Sequence, residues 1–362
     1  MEALKTSLFN EETTTYLTNA IKKVYPSFKK DAFLTEALIR YEGLELKARI
    51  TVLAELLYQF LPYDFNEATI ILKASIPYAR KNQFVFASYP EYLETYGCND
   101  RYFEHSLSLM EDFTKLFSAE FAIRRFFNEY KDKTLKTMLE FSKSQNADVR
   151  RLSSEGSRPS LPWSVKINVD YKEAMKPLEN LFMDEVRYVT RSVANHLNDI
   201  SKIDPDLVIS TLSRWKKSDL QNKHEMDYII NHSLRTLIKK GHQKALDFIG
   251  FRQNPNITIK DFTISSTLVT IGETLHFSFT VINPKLNHLM IDYIIEYPSK
   301  ITKASQKVYK LKKIINPKQT KYTITGKRSF KHLSTRKMKV GKHRIHIQVN
   351  GKILGHQTFN VK

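Results

Sequence analysis

The spacing of apolar residues changes character once along these 362 residues, near residue 254, and a chain patterned that way folds as two bodies of different class. From Glu11 to about Gly250, apolar side chains recur every three or four residues, as in Leu53, Leu56, Leu57 and Phe60. That is the one-sided stripe of packed helices. The segments pair into hairpins: Thr134 to Ser142 with Asp148 to Ser154, Tyr171 to Phe182 with Glu185 to Asn198, and Asp206 to Trp215 with His224 to Lys240. Two of the second helices share a pattern, Asp148-Val149-Arg150 and Asp184 with Val186-Arg187. The two valines stand about 37 residues apart, inside the roughly 40-residue period of HEAT-like repeats. The expectation for residues 1–252 is an all-α solenoid of HEAT-like repeats, with an irregular helical bundle as the alternative.

After Asn254-Pro255 the period falls to two, and Val, Ile, Thr and Tyr accumulate. Seven strands are expected: Thr258 to Ser265, Thr274 to Val281, Met290 to Tyr297, Lys307 to Ile314, Lys321 to Gly326, His343 to Val349 and Ile353 to Asn360. The last two flank Asn350-Gly351, a pair that tolerates positive φ at both positions of a type I′ turn. Residues 256–362 therefore read as an all-β immunoglobulin-like sandwich lacking the usual inter-sheet cysteines.

The two parts differ in charge. The chain carries a formal net charge of +19, and from residue 255 onward about 20 Lys and Arg face about 4 Asp and Glu. Most of the excess thus sits in the β part, and the helical part is nearly balanced. A polyanion such as nucleic acid is the partner this points to. The single cysteine, Cys98, excludes an intrachain disulfide and a Cys-based zinc cluster. No apolar run of about 18 residues is present, so a cytosolic chain with no membrane role is expected.

The most distinctive stretch runs from Asp148-Val149-Arg150-Arg151 through Glu155-Gly156-Ser157-Arg158-Pro159 to Pro162-Trp163, a basic helix entering a loop held by two prolines. Such a loop can hold Trp163 in a fixed place; it can equally be a plain connection in which Trp163 plugs the core. Together with Arg191-Ser192-Val193-Ala194-Asn195-His196-Leu197-Asn198-Asp199 and Asn231-His232-Ser233-Leu234-Arg235, this stretch resembles the AlkC branch of the AlkC/AlkD alkylpurine DNA glycosylases over about residues 1–250. Some AlkC members also carry an immunoglobulin-like C-terminal domain.

The resemblance implies base excision repair: removal of cationic N-alkylated bases, chiefly 3-methyladenine and 3-methylcytosine, from double-stranded DNA by a monomer needing no cofactor or metal. It assigns Glu120, Glu155 and Asp199 as the active-site acids and places Trp163 beside the damaged nucleotide. The residue types suit that chemistry. A base alkylated on a ring nitrogen already carries the positive charge of a good leaving group, so the demand shifts to the cation developing on the sugar, which carboxylates stabilise. The acids also have plain readings: Glu120 near a helix start, Asp199 as a cap, and any of them as the partner of a neighbouring arginine, while Glu155, near a helix C-terminus where negative charge is unfavourable, asks for another reason. Phosphate contacts are expected from Arg150, Arg151, Arg158, Arg187, Arg191, Lys239 and Lys240, and from Lys327, Arg328, Arg336 and Lys337 in inter-strand loops. His196 and His232, each after an asparagine at equivalent repeat positions, are expected to make hydrogen bonds in the repeat core rather than to bind a metal. A non-catalytic DNA-binding scaffold built on the same repeats is the competing reading.

Overall fold

The computed structural model describes residues 2–252, 256–299, 305–332 and 338–362. Its helices occupy the chain up to Phe248 and its strands begin at Thr258, so the expected order of an all-α and an all-β part holds. Successive helix pairs are tied by side-chain bonds that recur at a nearly constant sequence separation. Arg150 Nε donates to Asp184 Oδ2 (2.5 Å, 34 residues on), Trp215 Nε1 to Glu179 (2.9 Å, 36 residues), Asn180 to Ser142 Oγ (2.8 Å, 38 residues) and Gln221 Nε2 to the Phe182 carbonyl (3.0 Å, 39 residues). The separations run from 34 to 39 residues, so neighbouring helix pairs meet at a similar spacing along the chain. Two expected helices are broken. Tyr171–Ala174 and Leu178–Leu181 replace one helix because Pro177 lacks the amide a continuous helix would need. Lys223–Ser233 and Arg235–Lys239 replace another, with the break at Leu234 (φ −88°, ψ 0°).

Among the described residues eight strands follow: β1 (Thr258–Ile264), β2 (Leu268–Val269), β3 (Thr274–Ile282), β4 (Leu289–Tyr297), β5 (Ser305–Ile314), β6 (Lys321–Ser329), β7 (Gly341–Val349) and β8 (Lys352–Val361). They form a three-stranded sheet, β1-β3-β6, and a five-stranded sheet, β2-β8-β7-β4-β5. Period-two positions such as Phe277, Phe279, Ile291, Ile295, Ile345 and Ile347 share one core. The two-residue β2, too short to show a period, is the strand the sequence did not disclose. Asn350 and Gly351 take φ of 46° and 81°, as the hairpin turn requires. The lysines of β5 line an edge of the larger sheet, where charge also discourages pairing with another chain.

The chain divides into two compact units, Met1–Asp204 with Ser210–Ser233, and Pro205–Ile209 with Leu234–Lys362. The division falls earlier than the expected 252/256 boundary, whose Asn254-Pro255 lies outside the described residues. Backbone contact explains it. A Cβ on Gly351 would lie 2.6 Å from the Cα of Gly241, and Asn350 Nδ2 donates to the Arg252 carbonyl at 3.0 Å, so the helices after Leu234 are seated on the β7–β8 hairpin.

On β4, Asp292 lies between Lys310 of β5 and Gln348 of β7, 3% exposed, with its Oδ1 unpartnered. Burial pushes its carboxyl up to about 6, against the pull of Lys310. A folded-state pKa above the unfolded one means that stability is greatest below the unfolded value and is lost as pH rises toward 6. Asp292→Asn is therefore expected to stabilise the protein at pH 7.5 by up to about 3 kcal/mol and to do little at pH 4. Equal shifts in Tm at both pH values would count against this reading.

Candidate active site

The helix Ala147–Glu155 begins on Asn146, whose Oδ1 accepts the amides of Asp148 and Val149, and ends on Glu155. A carboxylate at a helix C-terminus opposes the helix dipole and needs compensation. Two arginines supply it. Glu155 Oε1 accepts from Arg158 Nη1 at 2.5 Å, and Oε2 lies 3.7 Å from Arg151 Nη2 and accepts from Ser192 Oγ at 2.6 Å. Burial alone would raise the Glu155 carboxyl; the arginines and the serine bond overcome it and hold the group below the usual range.

The same cations reach the other two acids. Arg151 Nη1 lies 2.7 Å from Glu120 Oε2, which also accepts from Ser118 Oγ at 2.8 Å. Arg158 Nε and Nη2 each lie 2.9 Å from Asp199 Oδ2, and Lys202 Nζ lies 2.9 Å from Asp199 Oδ1. The result is one chain of alternating charge, Glu120–Arg151–Glu155–Arg158–Asp199–Lys202, that joins a turn and two successive repeats. Ser192, His196 and Asp199 lie on one face of the helix Arg187–Ile200 and all turn toward the end of Ala147–Glu155. His196 Nδ1 lies 3.0 Å from the Ser154 carbonyl, and burial pushes its pKa down to about 4, so it is neutral at physiological pH. His232 Nε2 lies 2.9 Å from Asn195 Oδ1. Both contacts are between repeats, and among the described residues no group of three or more His, Cys, Asp or Glu is placed to hold a metal.

Arg124, which the sequence did not single out, fixes the loop after Glu155. It is 1% exposed, and it donates to the carbonyls of Gly156 (3.0 Å), Arg158 (2.9 Å) and Val165 (2.5 Å). Burial lowers its pKa to about 10. Gly156 permits the close approach: a Cβ there would meet Ile123 Cγ2 at 2.6 Å. At the far side of the loop Trp163 has φ of 62° and is 75% exposed, so it does not plug the core. It walls an apolar cavity of about 320 Å³ with Leu46, Ile50, Phe84 and Phe121, the last adjacent in sequence to Glu120. The tryptophan that fills the core is Trp215, stacked on Phe182 at 4.5 Å.

Over 99% of both chains, the fold superposes with a TM-score of 0.90 and 32% identity on the Pseudomonas fluorescens alkylpurine DNA glycosylase AlkC, solved bound to DNA containing an abasic site analog. The uncharacterized protein YhaZ of Bacillus subtilis (strain 168) is 35% identical over 98% of each chain. The chain belongs to the family of AlkC and YhaZ. Residues 258–362 match the family described as the C-terminal Ig-like domain of uncharacterised protein YhaZ, which agrees with the sandwich above.

Within this AlkC-type framework the basic residues expected at phosphates separate into two groups. Arg150 gives Asp184 two bonds and the carbonyls of Ser144 and Gln145 two more, and Arg187 grips Glu225 while lying 3.7 Å over the Tyr228 ring. These two arginines join successive helix pairs, which accounts for the repeated Asp-Val-Arg pattern. Arg158, at 7% exposure, turns its donors inward on the acids. Arg151 is held by Glu120 and covered by Tyr188, whose ring centre is 4.7 Å away. Arg191, Lys239, Lys240 and Lys327 are exposed. Lys327 and Arg328 lie within β6 rather than in a loop, and Arg328 packs 4.3 Å over Tyr309. Arg336 and Lys337 fall outside the described residues.

Proposed function

We propose that this protein is a monofunctional DNA glycosylase that hydrolyses the N-glycosidic bond of cationic N-alkylated bases, 3-methyladenine and 3-methylcytosine among them, in duplex DNA. The observation that carries the reading is the linkage of Glu120, Glu155 and Asp199 through Arg151 and Arg158, in a chain whose relative AlkC is named an alkylpurine DNA glycosylase. The helix pairs act as HEAT-like repeats that hold the acids on rigid elements. Cleavage leaves as neutral base what was a cationic substituent, so no general acid is needed at the base. The acids instead face the charge that grows on the deoxyribose, and one of them orients the attacking water. Water is the nucleophile, so the product is an abasic site and the strand stays intact. Trp163, held out by the Arg124-fixed loop, packs against the damaged nucleotide.

The test is a duplex oligonucleotide with a single 3-methylcytosine. The protein is expected to create an alkali-sensitive site at that position with no strand break before alkali. A break without alkali would contradict the monofunctional reading, and an intact strand after alkali would contradict glycosylase activity on this lesion.

The basic β unit is the second hold on DNA. Among helical no less than β residues, exposed lysines rather than buried arginines make the phosphate contacts, with Lys327 and Lys331 in the β unit. Replacing both with Ala is expected to reduce the slope of log K against log salt by about 2 units, since each lost contact forgoes counterion release. An unchanged slope would remove both from the interface. The protein works as a monomer in the cytosol; no helix among the described residues is long and apolar enough to cross a membrane.

A further inference from the structure

The charges at the acids do not balance. Arg124, Arg151, Arg158 and Lys202 stand against Glu120, Glu155 and Asp199, so a cluster meant to stabilise a sugar cation carries a surplus positive charge. One of these cations differs from the rest. The side chain of Lys202 is 41% exposed, whereas those of Arg151 and Arg158 are 14% and 9% exposed and Arg124 is buried. Lys202 also holds Asp199 through one flexible ammonium contact at 2.9 Å, while Arg158 uses two nitrogens and is fixed by Glu155 on its other side. Arg158 cannot leave without abandoning two buried carboxylates, nor Arg151 without abandoning the buried Glu155 and the half-buried Glu120. Lys202 can leave, because water or a phosphate can receive its charge.

We propose that Lys202 is an exchangeable counter-ion: on DNA binding a backbone phosphate draws its ammonium off Asp199, and the freed Oδ1 then faces the sugar. This rests on the glycosylase reading above. The exchange removes one positive charge from the cluster at the moment the substrate arrives, and it keeps Asp199 neutralised while no DNA is bound. Breaking the pair costs part of the phosphate's binding energy, so the two contacts compete for the same ammonium.

Competition of this kind appears as coupling between two substitutions. Affinity for an undamaged duplex, which is not turned over, is measured for the full-length wild type, Asp199→Asn, Lys202→Met and the double variant across a salt series. Asp199→Asn frees Lys202 in advance and is expected to tighten binding by about two- to fivefold, the scale of a half-exposed ion pair. Lys202→Met is expected to weaken binding and to lower the salt slope by about 1 unit, and Lys202→Arg to restore the slope. In the Lys202→Met background Asp199→Asn should then give no gain. An equal gain in both backgrounds would mean that Asp199 merely repels phosphate, and no gain in either, or an unchanged slope in Lys202→Met, would also overturn the exchange. These outcomes are separate from the glycosylase reading, which fails only if the wild type creates no abasic sites.

Discussion

Asp199→Asn should still bind duplex DNA yet remove a methylated base at least about two orders of magnitude more slowly than wild type under enzyme excess, the usual consequence of deleting one preorganised electrostatic group. Asparagine keeps the shape of the side chain and can still accept from Arg158, so the substitution removes charge with little change in packing. The side chain is buried at 3% exposure, so its charge acts through a medium that screens poorly. The measurement is single-turnover excision at saturating enzyme with affinity determined separately. Wild-type excision by the variant would remove Asp199 from the chemistry.

Arg158→Met is expected to be worse for the fold and as bad for the reaction. Arg158 is the cation between Glu155 and Asp199, with 9% of its side chain exposed against 6% and 3% for the acids. Removing one partner of a buried pair leaves charge without compensation, at about 3–5 kcal/mol. Here two carboxylates lose the same partner; Glu155, which Arg158 helps to hold below the usual range, should shift upward in pKa, and part of the destabilisation should be relieved at acid pH. An acid whose folded pKa has risen above its unfolded value contributes less stability as pH increases, so the variant's deficit in Tm should widen from pH 5 to pH 8. A deficit independent of pH would mean that Arg158 acts by packing alone. Phosphate binding, the role its residue type first pointed to, would instead have left stability untouched.

The contrast between Arg158 and Lys202 shows where sequence stops being informative. The period of the apolar residues gave both fold classes and seven strands to within a few residues, because periodicity reports directly on which face is buried. Pattern was silent on β2, which has two residues, and on the helix breaks at Pro177 and Leu234, where local backbone geometry decides. Motif likeness singled out the three acids, and the structure joins them through Arg151 and Arg158; their role at the sugar is the proposal. What an arginine does was not legible from its type. Arg150 and Arg187 serve the repeat, Arg158 serves the acids, and Arg124, inside the unremarkable run Ile123-Arg124-Arg125-Phe126, fixes the loop that carries Trp163. Most of those roles depend on partners 32 to 41 residues away, which only the register between neighbouring helix pairs brings into contact. The recurrence of Arg150 and Arg187 after Asp and Val was the one available signal of the bonds that join successive helix pairs.

The claim that the linked carboxylates form a glycosylase centre is tested most directly by incubating methylated duplex DNA with an excess of the purified protein and measuring the free bases released, with Glu155→Gln run in parallel. The account predicts release of 3-methyladenine by the wild type and a loss of about two orders of magnitude in rate for the variant at full DNA occupancy. No release by a folded, DNA-binding wild type, or equal release by Glu155→Gln, would contradict it.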